Sequence, residues 1–239
     1  RRNRREALAD AVAAVAPEGG VDAETRVEEG EPAPTISSRV ASSGADLVVL
    51  GRHGRAGIGE RLLGSVTEKV LRHSDVPVLT APATDPSAPV GLDGGDVLAP
   101  TDGSGAAERA APHAASVASR FAARLHVVRA VDVQAEGGLF NAGGVSAEYV
   151  ERLEATARES VDGYADLVRG EAPDVDVEPA VVRGRPHAAL GEYVTDHDVD
   201  LVAIASRGQS SLAGQLLGSV ADRVLRVVDA PVLVVPVRD

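Results

Sequence analysis

Residues 51–54 (GRHG) and 64–65 (GS) frame a glycine-punctuated loop that decides the fold of this chain. The same pattern returns 154 positions later (205 − 51), as residues 205–208 (ASRG) and 218–219 (GS). Each copy follows a short aliphatic run and precedes an amphipathic segment, which is the order of a strand, a loop and a helix. Backbone N–H groups and a helix N-terminus then meet where they can bind an anion, and phosphate fits best. Two copies in one context indicate a repeated unit.

The repeat predicts two domains. Residues 1–81 form the first unit, residues 82–95 form a linker rich in Pro, Gly and Asp, and residues 96–239 form a complete second unit. The position equivalent to Asp102 would lie 52 residues before the numbering starts (102 − 154). We therefore expect the first strand, the first helix and the second strand of unit one upstream of Arg1.

Hydrophobic patterning predicts alternating strands and helices in unit two. Strands are predicted at 96–100, 125–131, 175–182, 201–205 and 232–235, helices at 106–124, 146–169, 187–196 and 219–228, and a glycine-rich loop at 134–145. This order requires crossover connections, so the fold class is α/β with mostly parallel sheets flanked by helices.

The composition limits the classes of function. The chain has 239 residues, no cysteine, 2% aromatic residues and a net charge of −12. Disulfides and thiolate metal sites are excluded, and the negative charge argues against nucleic acid or an anionic membrane as partner. No apolar run could span a membrane and no signal-peptide pattern is found, so a cytoplasmic protein is expected. With Lys69 as the only lysine, the acidic composition is typical of a halophile, although a GC-rich genome would also give it.

Asp102 is the main candidate outside the loops, because it follows the first strand of unit two. Ligands of parallel sheets bind beyond the carboxyl ends of the strands, where the strand order reverses. Its carboxylate could accept hydrogen bonds from a ribose hydroxyl or a base N–H. The alternative is a turn residue that satisfies nearby backbone N–H groups. The histidines and carboxylates form no metal-binding or catalytic pattern, so no catalytic and no metal-binding residue is predicted.

Local features of the loops carry further expectations. Ser65 and Ser219 are predicted as helix N-caps within capping boxes, and Gly54 and Gly208 are expected to permit a positive φ and close backbone approach. Ala205 stands where unit one has Gly51, which would cost on the order of 1 kcal/mol if that position needs a positive φ. The alternative to an anion site is a capped helix that follows a flexible loop and binds no ligand.

The chain resembles the universal stress protein family in its tandem form at residues 97–104 (VLAPTDGS), at 184–186 (GRP) and in both loops, which follow the pattern G-x2-G-x9-G-[ST] except for Ala205 at the first position of the second loop. The Pro-Val-Leu strands at 77–79 and 231–233 add to the resemblance, which covers essentially the whole chain. The resemblance implies Rossmann-like sheets of five strands, similar to those of adenine nucleotide alpha hydrolases, with unit one lacking its N-terminal strands. It also implies association through the last strand, as a homodimer or as internal pairing of the two units.

The loop form is that of the ATP-binding branch of the family, so the resemblance implies contacts with an adenine nucleotide. In unit two these fall on Pro100, Thr101, Asp102, Val131, Ile204, Ala205, Arg207, Gly208, Gly218, Ser219 and Val220. In unit one the partial set is Leu50, Gly51, His53, Gly54, Gly64, Ser65 and Val66.

The function that follows is a stress-response module that binds ATP, with Mg²⁺ as its accompanying ion, or a related adenine nucleotide, and acts through sensing and association. Two alternatives stay open. One is an enzyme that slowly hydrolyses ATP or transfers a nucleotidyl group. The other is an interaction module without a cofactor, in which the loops are structural.

Overall fold

The computed structural model describes residues 22–52, 63–82, 92–136, 146–209 and 217–237. Its helices are α1 Pro32–Ser43, α2 Ser65–His73, α3 Gly105–Glu108, α4 Ala111–Arg120, α5 Val133–Glu136, α6 Ala147–Glu171, α7 Pro186–Asp196 and α8 Ser219–Val227. Its strands are β1 Val48–Gly51, β2 Val78–Ala81, β3 Asp96–Pro100, β4 Arg124–Val131, β5 Val177–Arg183, β6 Leu201–Ala205 and β7 Val232–Val235. Within the described ranges, no helix has the length and apolar character needed to cross a membrane.

The strands form one sheet in the order β1-β2-β7-β6-β3-β4-β5. Every neighbouring pair is parallel except β2 and β7, which are antiparallel. The chain runs outward from β3 to β4 and β5 on one side, and returns to β6 and β7 on the other. The strand order therefore reverses at β3 and β6, where parallel sheets place their ligands. The α/β class and the mostly parallel sheet are confirmed, and the structure adds that strands of both units share one sheet.

Both faces of the central strands are covered by helices, which explains the continuous apolar runs of these strands. Every residue of β6 and of β7 is buried. One core lies beneath α4 and α6, where a row of buried alanines on α4 lets the helices approach the sheet closely. The other core lies beneath α7 and α8 and continues under α2 of unit one.

The helix predicted at 106–124 is wrong as a single element. Ser104 accepts a hydrogen bond from Ala107 N–H (3.2 Å) and caps the short α3, after which α4 begins anew beside Pro112. Proline lacks an N–H group and has a fixed φ, so it favours the first turn of a helix over its interior. Of the loop predicted at 134–145, the first residues form the end of α5 and residues 137–145 lie outside the described ranges.

The predicted serine caps are also wrong. Gly64 and Gly218 hold the N-cap positions with extended backbone and without a side-chain cap, while Ser65 and Ser219 are the first helical residues. The acids expected to close the capping boxes instead form ion pairs one turn later, between Glu68 and Arg72 (3.0 Å) and between Asp222 and Arg226 (2.9 Å). A bare backbone therefore stands at the entrance of each helix.

Candidate functional site

A cleft opens at the carboxyl ends of β3 and β6, with about 610 Å³ of empty space when its open mouth is included. Ten of the eleven residues predicted for unit two line it, namely Pro100, Thr101, Asp102, Ile204, Ala205, Arg207, Gly208, Gly218, Ser219 and Val220. Val131 is not among the lining residues. It is buried at the end of β4, where its carbonyl oxygen accepts a hydrogen bond from Gly184 N–H (2.9 Å).

The sequence did not predict several residues that line the cleft, and four of them lie in pairs on one face of a strand or helix. Val128 and Ala130 alternate along β4, and Pro186 and Leu190 lie one turn apart on α7. Ala107, Ser206 and Ala221 complete the lining. Periodicity within β4 and α7 was the signal that could have found the first four. They give the cleft a largely apolar floor.

The carboxylate of Asp102 links the turn after β3 to the loop after β6. Its Oδ1 accepts hydrogen bonds from Ser104 N–H (3.0 Å) and Ser104 Oγ–H (2.6 Å), while its Oδ2 accepts one from Gln209 N–H (2.5 Å). Asp102 is therefore a turn residue, as the second interpretation expected, and it also faces the glycine loop; its contact with a ribose or a base stays a prediction.

Gly208 is required by close approach and not by its backbone conformation. A Cβ at this position would lie 2.3 Å from Asp102 Oδ2, which real contacts do not allow. The close approach expected for Gly208 is therefore present, whereas its φ is not positive. The absence of a side chain lets the carboxylate reach Gln209 N–H.

Ala205 does not carry the backbone strain considered for it. It ends β6 with strand geometry, pairs with Val235 of β7 and is 5% exposed. Its counterpart Gly51 likewise ends a strand, β1. No positive φ is needed there, so the anticipated cost of about 1 kcal/mol does not arise. Ala205 therefore differs from Gly51 only by one methyl group, which lies in the wall of the cleft.

The N-terminus of α8 faces the cleft through Ser219, Val220 and Ala221. The N–H groups of a first helical turn lack intrahelical acceptors and carry the positive end of the helix dipole. Gly218 N–H donates to Ser206 O (2.7 Å) and so fixes the entrance of the helix beside β6. This geometry suits an anionic group. Arg207 is turned toward the end of the sheet, where its Nε donates to Val237 O (2.9 Å).

Three basic residues lie next to, or within two positions of, lining residues of the cleft in the chain. Arg185 and His187 stand on either side of Pro186, and Arg223 follows the first turn of α8. Partial burial lowers the pKa of His187, and the nearby charges of Arg223 and Arg185 lower it further. The equivalent positions of unit one hold Glu31, Ala33 and Lys69, so the charge is reversed between the repeats at Arg185 alone and kept at Arg223.

The residues predicted for unit one are placed only in part. Leu50 and Gly51 end β1, and Gly64, Ser65 and Val66 open α2. His53 and Gly54 lie outside the described residues. Gly64 N–H donates to Arg52 O (2.7 Å), as Gly218 does to Ser206 O in unit two. Within the described ranges β1 pairs with β2 alone, so nothing there corresponds to the wall that Pro100, Thr101 and Asp102 give unit two.

A buried polar cluster lies at the opposite, amino end of the strands. His126 Nε2 is 2.8 Å from Asp96 Oδ1, and His126 Nδ1 is 2.9 Å from Tyr193 Oη. Burial, with Glu178 and Asp96 nearby, raises the pKa of Tyr193 to about 12, so its hydroxyl stays protonated at neutral pH. His126 therefore fills a structural role. The described part of the chain brings no three His, Asp or Glu side chains together as metal ligands.

Known proteins with similar sequences belong to one family. The model of the universal stress protein family matches residues 1–82 and 95–236. A universal stress protein of Mycolicibacterium smegmatis is 32% identical over 217 residues, which cover 90% of this chain and 69% of that protein. Universal stress protein Rv2005c of Mycobacterium tuberculosis is 32% identical over 238 residues, covering 96% and 76%.

Solved structures show the same fold. A functionally unknown protein from Pseudomonas aeruginosa superposes with a TM-score of 0.70 at 22% identity, over 99% of this chain and 79% of that one. A universal stress protein from Archaeoglobus fulgidus superposes with a TM-score of 0.60 at 25% identity, over 98% and 79%. From the family model and the relatives of similar sequence, the chain belongs to the universal stress protein family.

Proposed function

We propose that this chain is a nucleotide-binding module of the stress response, and that its working site is the cleft of unit two. The ligand is ATP or a related adenine nucleotide. The observation that carries the proposal is the meeting of three features at one cleft: the Asp102 turn, the glycine loop after β6 and the N-terminus of α8. None of them would bind a nucleotide alone.

Each feature suits one part of a nucleotide. The apolar floor formed by Val128, Ala130 and Leu190 fits the base, as in most small-molecule sites. Asp102 accepts hydrogen bonds, and a ribose hydroxyl can replace Gln209 N–H as the donor to its Oδ2. The first turn of α8 offers N–H groups to the phosphates. Mg²⁺ would enter on the phosphate oxygens, because such ions use few protein ligands.

We further propose that the chain consists of the units 1–81 and 96–239, joined by the linker 82–95, and that the units associate within one chain. The antiparallel pairing of β2 with β7, through Val78–Thr80 and Val232–Val234, supports this association. A cytoplasmic location and a halophilic source stay predictions from composition.

Calorimetry with ATP and Mg²⁺ on the full chain tests the binding proposal. Gly218→Val should abolish the binding heat, because its side chain would fill the entrance of α8. Gly64→Val makes the equivalent change in unit one and should leave the heat unchanged. Absence of heat with the unaltered protein at millimolar ATP would contradict the proposal and favour the ligand-free interaction module. Phosphate release that is lost in Asp102→Ala would instead indicate an enzyme.

A further inference from the structure

Arg52 is a buried arginine at the junction of the two units, at the end of β1. It is 3% exposed, and its two terminal nitrogens donate to the main-chain oxygens of Val228 and Ala230 in unit two. Its Nε donates to Thr80 Oγ1 (3.2 Å). Burial lowers the pKa of Arg52 to about 10, against the opposing effect of Asp229, so the side chain stays charged at neutral pH. A buried charge of this kind needs every one of its hydrogen bonds.

The junction pairs equivalent strands of the two units, as a twofold interface would, but the contact made by Arg52 occurs on one side of it only. The register of β2 and β7 sets Leu79 opposite Leu233, and these two residues are equivalent in the repeat (79 + 154). In a true twofold interface every contact occurs twice. The counterpart of Arg52 is Ser206, whose Oγ accepts a hydrogen bond from Val237 N–H (2.9 Å) within its own unit.

The residues whose oxygens accept from Arg52 also differ from their counterparts in unit one. The counterparts of Val228 and Ala230 are Ser74 and Val76. Ser74 Oγ–H donates to Val76 O (2.7 Å), so the counterpart of Ala230 O has a donor within its own turn. Val228 has no hydroxyl, and in unit two Arg52 supplies the donors instead. The two units have therefore diverged at paired positions across the junction.

We infer that Arg52 is a specificity-determining residue for unit pairing: it makes this junction accept one unit of each kind, and so favours closure of the chain on itself over a junction between like units of two copies. A junction of two second units would leave the oxygens of Val228 and Ala230 without these donors on both sides, which is unfavourable for buried acceptors. A junction of two first units would bring a buried guanidinium from each side to a turn in which Val76 O already accepts from Ser74. The mixed pair satisfies both sides. The inference is independent of nucleotide binding.

The full chain with Arg52→Ser tests the inference, because the change gives unit one the residue of unit two. Light scattering over a concentration series should show masses of two or more chains, where the unaltered protein shows one. Amide exchange of residues 78–80 and 232–234 should quicken at least tenfold, while β3 and β4 keep their protection. Arg39→Ser is the matched control and should change neither, because the half-exposed side chain of Arg39 pairs with Glu28 (3.8 Å) within unit one. A single-chain particle with unchanged exchange at β2 and β7 would overturn the inference.

Two further variants decide the matter if Arg52→Ser fails to fold. Arg52→Ser with Val228→Ser restores a self-satisfying turn and should fold while forming multimers. Arg52→Lys keeps the charge with fewer directed donors and should quicken exchange at the junction to an intermediate degree. If either variant folds as a single chain with the original protection at β2 and β7, the inference is wrong.

Discussion

Replacing Gly208 by alanine tests the geometry of the cleft at its tightest point. The added Cβ would lie 2.3 Å from Asp102 Oδ2 and 3.2 Å from Asp102 Cγ. An ordinary contact needs at least 3.4 Å, so the loop and the carboxylate must separate by about 1 Å. The hydrogen bond from Gln209 N–H, 2.5 Å long, cannot survive that displacement.

The expected loss follows from the kind of bond. A hydrogen bond to a charged group contributes about 1.5–3 kcal/mol, and the exposure of Gln209 puts this one at the low end. We expect the free energy of unfolding to fall by about 1.5 kcal/mol, which lowers Tm by roughly 3–6 °C in a chain of this size. If Asp102 also orients the nucleotide, affinity for ATP should fall about tenfold, since a tenfold change corresponds to about 1.4 kcal/mol.

Urea denaturation and calorimetry measure the two effects separately. Gly105→Ala is the control, because a Cβ at this nearby position meets nothing within 4 Å. It should leave ATP affinity unchanged. If Gly208→Ala behaves like Gly105→Ala in both assays, the close contact between Asp102 and the glycine loop does not exist in solution, and the reasoning fails.

The remaining predictions concern strand, helix, core and pH. Ala205→Gly should leave ATP affinity within twofold and lower the free energy of unfolding by about 0.5–1 kcal/mol, because a strand glycine loses more entropy on folding; tighter binding would show that the methyl crowds the ligand. Gly163→Ala, on an open face of α6, should raise the free energy of unfolding by a similar amount in a urea titration, and a decrease would contradict the open face. Tyr193→Phe leaves buried His126 Nδ1 without its partner and should cost about 1–3 kcal/mol in the same titration; a neutral result would mean that water replaces it. The pKa of His187 is lower in the folded chain than in the unfolded chain, so the unfolded chain binds the proton first as the pH falls. The free energy of unfolding should therefore decrease as the pH drops below about 6.5. His187→Gln should make this decrease smaller, and an unchanged pH profile would refute the assignment.

The sequence predicted the buried strands best, because their hydrophobicity is the single property that determines them. The strands at 201–205 and 232–235 match β6 and β7, because buried parallel strands are continuous apolar runs. The prediction of one helix at 106–124 was wrong because it relied on the helical spacing of the alanines. It did not consider that Pro112 favours the first turn of a new helix. The caps failed because the patterns at Ser65 and Ser219 fit a capping box one residue away from the glycines that cap these helices.

The repeat pointed to the glycine loop, and the position of Asp102 after a strand pointed to that carboxylate. The full set of predicted contacts was taken from the resemblance, and of that set Val131 lies in the core instead. The role of Arg52 could not be predicted, since its acceptors are 176 and 178 positions away and belong to the other unit. Its position within a glycine loop gave no sign that its side chain lies in the junction.

The most direct test of the central claim is an amide NMR titration of the full chain with ATP and Mg²⁺. Binding in the cleft of unit two predicts the largest shift changes at Gln209, whose N–H loses Asp102 as its acceptor, and at residues 101–104 and 219–221. Residues 50–52 and 64–66 of unit one should keep their shifts. Changes confined to unit one, or no change at millimolar ATP, would contradict the account.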